Sequence, residues 1–282
     1  MNSDIKTASI LPKRSAPRMI EVLRIEKPHP EIKRVVFSGE ALFGFPSDMN
    51  GSHIKLFFPK KHQVEPQLPT LGEAGPIWPS AIDRPITRTY SVRYYDPLQN
   101  QLTVDFACHG HQGPAQHWLN QAKKGQRIGV AGPGGPNPLI HDAKNQIFIG
   151  DTSALAAVWA LLETPSPHKR HVFLVADHPV GFDQPLHCLQ LFKPKDYPTF
   201  TALYEHLLAQ LRQHLMLNGI TQDSDLSAFV AGENELVLSI RDYLKRDYKL
   251  IKKRLYAIPY WRLGDDEESY HQTRHQIMDE VY

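Results

Sequence analysis

Two rhythms of apolar residues divide the chain near residue 140. Before that point, short runs of β-branched and aromatic residues are punctuated by turn residues: "RMIEVLRIEKPHP", "IKRVVFSGE", "HIKLFFPK", "TRTYSVRYYD", "QLTVDFACHG" and "QRIGVAGPGG". Within residues 101–107, Leu102, Val104 and Phe106 alternate with Thr103, Asp105 and Ala107, the period of a half-buried strand. Six such runs predict an antiparallel barrel or sandwich over residues 18–140, after a flexible tail at 1–17. The prolines and glycines of residues 60–85 read as loop.

Beyond "AGPGGPNP" the period lengthens. "NQIFIGD" reads as a buried strand, "TSALAAVWALLET" as a helix and "HVFLVAD" as a second strand. A strand near 199–204, a helix over 205–217 and the strand "LSAFVAG" follow. In "NELVLSIRDYLKRDY", Leu236, Ile240 and Leu244 fall at i, i+4 and i+8, one face of a helix. Strands alternating with helices predict a parallel α/β domain over 141–264. A helix at 265–282, acidic at its start, closes the chain.

Composition narrows the class. At 282 residues, with 41% hydrophobic and 22% charged residues, the chain is globular and long enough for two cores. A net charge of +2 argues against a nucleic-acid partner. Cys108 and Cys188 make no disulfide framework, as expected in a reducing compartment. The first residues lack a signal-peptide core and no window approaches a transmembrane span, so a cytoplasmic chain without membrane insertion is expected.

The segment "RPITRTYSVRYYD" carries more charge and hydroxyl than a strand normally hides. On a strand Arg88 and Tyr90 share one face and Ser91 the other. A guanidinium beside an aromatic ring suits a phosphate joined to a planar ring system; a surface cation–π pair is the plainer alternative. About twenty residues on, "HGHQGPAQHW" follows a strand, supplies two glycines, and opens a helix at Pro114. Free N–H groups at a helix start receive phosphate, although a plain strand-to-helix turn has the same form.

Taken together, "RTYSVR" (88–93), "DFACHGHQGPAQHW" (105–118), "GQRIGVAGPGGP" (125–136), "FVAGE" (229–233) and "YWRLGDDEESYH" (260–271) resemble the siderophore-interacting proteins. These are flavin-dependent ferric-siderophore reductases of the ferredoxin–NADP reductase-like superfamily. The resemblance implies an N-terminal six-stranded FAD-binding barrel and a C-terminal NAD(P)H-type α/β domain. It implies that Arg88, Thr89, Tyr90, Ser91, Val92 and Arg93 meet FAD, with the arginines toward the phosphates or ribityl chain and Tyr90 on the isoalloxazine. His109, Gly110, Gly113, Pro114 and Ala115 would line the pyrophosphate. Thr152, Ser153 and Trp261 would complete the cofactor site. Departures from the family pattern are Gly150-Asp151-Thr152-Ser153-Ala154-Leu155-Ala156, which lacks an acidic residue and a proline, and Pro259 in place of glycine. No G-x-G-x-x-G stands at a βα turn.

The implied reaction is reduction of a ferric siderophore by NAD(P)H or reduced ferredoxin, with the flavin carrying the redox chemistry and no protein acid, base or metal. Hard oxygen chelators hold Fe(III) better than Fe(II), so reduction releases iron. Two other readings remain: an NAD(P)H–flavin electron-transfer module for another acceptor, and a non-enzymatic siderophore or nucleotide carrier. A monomer is expected. Lys245, Arg246, Lys249, Lys252, Lys253 and Arg254 form a basic run in which Lys245, Lys249 and Lys252 would line one helix face. A solvated face is the simpler account; with Arg262, the run could instead dock an anionic chelate or an acidic donor. His271 and His275, at i and i+4, read as solvated rather than metal-binding.

Overall fold

The computed structural model describes residues 16–73, 75–108, 113–182, 187–192, 197–265 and 270. The first half forms strands β1 (Arg18–His29), β2 (Ile32–Ser38), β3 (His53–Phe58), β4 (Thr70–Gly72), β5 (Gly75–Ile77), β6 (Ile86–Ser91), β7 (Tyr94–Asp96), β8 (Gln101–Ala107) and β9 (Arg127–Gly134), with helix α1 (Pro114–Gln121) between the last two. Seven of them make one antiparallel sheet, ordered β6-β3-β9-β1-β2-β8-β7, while β4 and β5 pair separately.

The sheet rolls into a barrel because its two end strands are consecutive in sequence. At the bend Val92–Arg93 the chain changes partner. Val92 N–H donates to Ser52 C=O at 2.8 Å, toward β3, and Arg93 N–H donates to Thr103 C=O at 3.0 Å, in β8. The sheet has seven strands where six were expected, because the run "TRTYSVRYYD" is split at this bend into β6 and β7. Ile20, Val22, Val35, Phe37, Ile54, Leu56, Phe58, Val92, Leu102, Val104, Phe106, Ile128 and Val130 fill it. Each such side chain contributes about 1.5–3 kcal/mol by leaving water.

The second half alternates as predicted: β10 (Asn145–Asp151), α2 (Leu155–Glu163), β11 (Lys169–Ala176), β12 (His187–Phe192), α3 (Phe200–Leu217), β13 (Leu226–Glu233), α4 (Asn234–Asp247) and β14 (Leu255–Trp261). The five strands are parallel in the order β12-β11-β10-β13-β14. Both faces are covered, which explains why these strands read as unbroken apolar runs. One face buries Ile147, Ile149, Phe173 and Val230 under Leu203, Leu207 and Leu211 of α3 and Leu236 and Ile240 of α4. The other buries Phe148, Val172, Leu174 and Phe229 under Leu155 and Val158 of α2, with Ile32 of the barrel in the same cluster.

Two expectations are corrected. Residues 199–204 are not a strand but the start of α3. The Thr199 hydroxyl accepts from Ala202 N–H at 3.1 Å, and that cap starts the helix five residues earlier than expected; the strand before it is β12. The basic run is not one helical face either. α4 ends at Asp247, Lys249 takes a left-handed backbone (φ 53°), and Lys252–Arg254 form a separate 3-10 turn. Among the described residues, no helix is long and apolar enough to cross a membrane. The expected terminal helix with His271 and His275, and His109, Gly110 and His111, lie outside the described residues.

Candidate functional site

The β3–β6 register sets Tyr90 opposite Ile54, Arg88 opposite Leu56 and Ile86 opposite Phe58, so Arg88 and Tyr90 share a face. Both are half-buried. The Tyr90 ring lies 4.5 Å from Phe106 and 6.4 Å from Phe58. Trp118 of α1 reaches the same two rings at 6.1 Å and 5.1 Å, so one aromatic group ties β3, β6, β8 and α1 at one rim of the barrel. Arg88 Nη1 donates to Thr87 C=O at 2.9 Å. Thr89 points the other way and accepts from Lys55 Nζ at 2.6 Å; Ser91 and Val92 are buried.

At this rim α1 begins with Gly113 as an extended N-cap that supplies no side-chain hydrogen bond, Pro114 at the first helical position and Ala115 buried below. Among the described residues, no side chain caps the N–H groups of the first turn, which is the condition for receiving an anion. An arginine, a half-exposed tyrosine ring and an uncapped helix start suit a molecule with phosphates joined to a flat ring system. The residues present fit FAD.

The Arg93 guanidinium is turned toward the α/β half, where Nη1 donates to Glu163 Oε2 at 2.6 Å and Nη2 pairs with Oε1. Its Nε lies 3.4 Å from Asp105 Oδ2. Asp105 in turn accepts from Arg34 Nε at 2.7 Å and Nη2 at 2.8 Å. Arg34, Asp105, Arg93 and Glu163 thus form one ionic chain across the seam. The Arg93 guanidinium, expected at the FAD phosphates or ribityl chain, is engaged with two carboxylates and ties the barrel to the end of α2.

The same seam is closed at the end of β8. Cys108 N–H donates to Glu31 C=O at 2.7 Å, so Glu31 abuts the residue that leads into the glycine-rich turn. The Glu31 carboxylate crosses to the parallel sheet. Oε1 accepts from the Thr152 hydroxyl at 3.0 Å, and Oε2 accepts from the N–H groups of Asp177 and His178, each at 3.0 Å. His29, from the same β1–β2 turn, approaches Pro179 C=O at 3.0 Å through Nε2. The C-terminal edge of the parallel sheet therefore faces the barrel rim that bears Tyr90.

Along that edge Asp151 is the hub. Oδ1 accepts from Ser153 N–H at 2.8 Å and Ser153 Oγ at 2.5 Å; Oδ2 accepts from Glu233 N–H and from the Trp261 indole, both at 2.8 Å. Gly232 (φ 138°) is required here, because a Cβ would stand 2.8 Å from Asp151 Oδ2. Glu233 caps α4 by accepting from Glu235 and Leu236 N–H, and burial raises its pKa despite those bonds. Thr152 and Ser153, two residues expected at the cofactor, donate their hydroxyls to Glu31 and Asp151. Trp261 is half-buried at the edge, and Arg262 is exposed with Asp265 3.8 Å away.

The lysines are not brought to this edge. Lys245 sits in the last turn of α4 and Lys252 and Lys253 just before β14, whose other end carries Trp261. Six residue steps of strand separate the two ends by about 20 Å. Of the basic run, Arg246 lines a shallow depression of about 570 Å³ with Arg212, Tyr243, Asp247 and Tyr248, at the ends of α3 and α4.

Sequence reasoning missed Glu31, Asp151 and Glu163. It also passed over the ionic role of Asp105, which alone of the four left a signal, a carboxylate on the polar side of an otherwise regular strand. Among the described residues, no group of three His, Cys, Asp or Glu is arranged to hold a metal.

Known proteins carry the same pairing of halves. Residues 21–137 match the profile of the siderophore-interacting FAD-binding domain, and residues 143–264 that of the siderophore-interacting protein. The ferric vibriobactin reductase of Vibrio cholerae is 38% identical over 273 residues, 94% of this chain and 97% of that one. The NADPH-dependent ferric-chelate reductase of Escherichia coli is 39% identical over 151 residues, 53% of this chain and 57% of that one. Among solved structures, the siderophore-interacting protein SipS from Aeromonas hydrophila superposes with a TM-score of 0.74 at 27% identity, covering 94% of this chain and 98% of that one. The chain thus belongs to the siderophore-interacting protein family, and its barrel is that family's FAD-binding domain.

Proposed function

We propose that this protein is an FAD-dependent oxidoreductase that reduces ferric siderophores, takes its electrons from NADPH, and frees iron in the cytoplasm. The observation that carries the reading is the gathering of Arg88, Tyr90 and the uncapped start of α1 at one barrel rim, against the C-terminal edge of the parallel sheet. In open parallel sheets that edge is where nucleotides bind. Bound FAD would supply the conversion of a two-electron donor into two one-electron reductions of Fe(III).

The residues' own tasks follow from their placement. Arg88 offers a forked cation to phosphate oxygens, the first-turn N–H groups of α1 add the helix-start field, and the Tyr90 ring, backed by Phe106 and Phe58, offers a flat apolar support. Asp151 and Glu233 draw the ends of β10, β13 and β14 together and fix Trp261 at the edge. Cys108 and Cys188 are both free thiols, in keeping with a reducing compartment.

Two measurements test the reading. Purified protein should be yellow, and anaerobic NADPH should bleach it until a ferric catecholate or hydroxamate restores the colour. Colourless protein that binds a ferric siderophore without reducing it would point to a carrier instead. Arg88→Ala should weaken FAD binding roughly 10- to 100-fold, since a charge-assisted contact is worth about 1.5–3 kcal/mol. Unchanged FAD affinity by fluorescence titration would remove Arg88 from the site.

A further inference from the structure

We propose that Glu31 is a positioning residue for electron entry: its carboxylate latches the FAD-binding barrel to the edge of the parallel sheet and so sets the gap a hydride must cross. The inference rests on the function proposed above and assigns this chain a residue that the sequence did not single out.

Glu31 stands in the turn between β1 and β2, 5% exposed, and belongs to the barrel. Three of its side-chain hydrogen bonds go to the other half. A hydroxyl and two adjacent backbone N–H groups converge on the two carboxylate oxygens, from the turn after β10 (Thr152) and the loop after β11 (Asp177 and His178). Its own carbonyl meanwhile holds Cys108 N–H at 2.7 Å, one residue before the glycine-rich turn. One residue therefore connects the approach to the phosphate turn in the barrel with two loops on the sheet edge that faces it. Thr152 extends the connection, being flanked by Asp151, which anchors Trp261 and Glu233 N–H.

A bare carboxylate buried at such a seam needs donors, and three are supplied at 3.0 Å. The Arg93–Glu163 pair braces the seam elsewhere, on a rim where the Glu163 side chain is 52% exposed. Such an exposed partner holds weakly, so the buried Glu31 latch is the one able to fix orientation. Orientation matters for one step only. One hydride (two electrons) passes from NADPH, which leaves as NADP+, to bound FAD with one proton from solvent. Two ferric chelates then take one electron each and two protons return to solvent. Hydride transfer requires reacting atoms about 3–3.5 Å apart, one partner held by each half, whereas delivery to iron tolerates looser geometry.

The test separates the latch from the overall function. In cofactor-free protein, the Asp177 and His178 amides should exchange hydrogen at least tenfold faster in Glu31→Ala than in wild type. In FAD-loaded protein, anaerobic stopped flow at saturating NADPH should show flavin reduction slowed tenfold or more. FAD affinity and reoxidation by a ferric chelate should stay within twofold. Glu31→Gln should restore most of the reduction rate, because its carbonyl can accept from both amides while its NH2 donates to Thr152. If Glu31→Ala does not fold, Thr152→Val, which removes one donor from the latch, should show a three- to tenfold slowing of the same step. Wild-type reduction rates in Glu31→Ala or Thr152→Val, or a Glu31→Gln variant as slow as alanine, would overturn the proposal. Failure of wild-type flavin to reoxidise with any ferric chelate would overturn the proposed function and leave the amide-exchange result standing.

Discussion

The two faces of the five-stranded sheet bury polar groups in opposite ways. Under α3 and α4 the buried pair is His171, 5% exposed, and His214, 9% exposed, with Nε2 of His214 2.8 Å from Nδ1 of His171. Burial pushes both down to about 4, helped by the charge of His214 on His171 and of His187 on both, so the pair is neutral at ordinary pH. The face shared with the barrel instead buries ions: Asp105 between Arg34 and Arg93, and Glu31 across the seam. A face sealed by its own helices offers no counter-charge, so its polar groups stay neutral. A face closed by another domain can recruit charges from both sides and keep them paired.

The ionic face should break hardest. Asp105 has a fully buried side chain and is the shared partner of two arginines. Asp105→Ala leaves Arg34 without its bidentate partner and Arg93 leaning on exposed Glu163 alone. It should cost about 3–5 kcal/mol in urea unfolding, as removal of one member of a buried ionic pair usually does. A loss below about 1 kcal/mol would mean that water enters the seam.

The neutral face should respond to acid. The histidines titrate near 6.5 when unfolded and near 4 when folded. Between those values the unfolded chain binds the extra protons, so stability is complete above about 6.5 and falls as pH drops toward 4. The slope is about 1.4 kcal/mol per pH unit for each histidine that titrates alone, and less for the coupled pair. His187, stacked on His214 at 3.8 Å, and Lys169 are among the charges that hold His171 down. Replacing His171 and His214 by leucine should flatten the profile between pH 7 and 5; an unaltered profile would place the acid sensitivity elsewhere.

What could be read in advance follows from the range of the interactions. Barrel strands and βα units announce themselves in local period, and the face shared by Arg88 and Tyr90 is a consequence of strand alternation. The start of α3 was missed because Thr199 acts through one hydroxyl, invisible to any hydrophobic period. The ionic contacts of Arg93 left no local signal because its partners, Glu163 and Asp105, are seventy and twelve positions away in sequence, one across the domain seam and one on a neighbouring barrel strand. Glu31 gave no signal at all: in "PHPEIKR" it looks like any turn glutamate, and its meaning lies in backbone amides near residue 177. Seams between domains are set by such long-range polar contacts, to which sequence period is blind.

The smallest effect belongs to the basic run, and it sharpens the contrast between the working edge of the sheet and its far edge. Lys249, Lys252 and Lys253 are exposed between the end of α4 and the start of β14, about one strand length, roughly 20 Å, from Trp261. No contact between these lysines and a chelate bound at the Trp261 edge is possible over that distance; only their field could reach it. At about 0.15 M salt the Debye length is about 8 Å and the field is screened before arrival. At about 0.01 M it extends to about 30 Å, and steering becomes possible. Lys249→Gln with Lys252→Gln should therefore leave flavin reoxidation by an anionic ferric chelate unchanged at physiological salt. At low salt it should slow that reaction about twofold, with no effect on a neutral ferric hydroxamate. Stopped-flow reoxidation across a salt series measures both. A tenfold loss at physiological salt would instead put the chelate, or an acidic electron donor, in direct contact with the far edge.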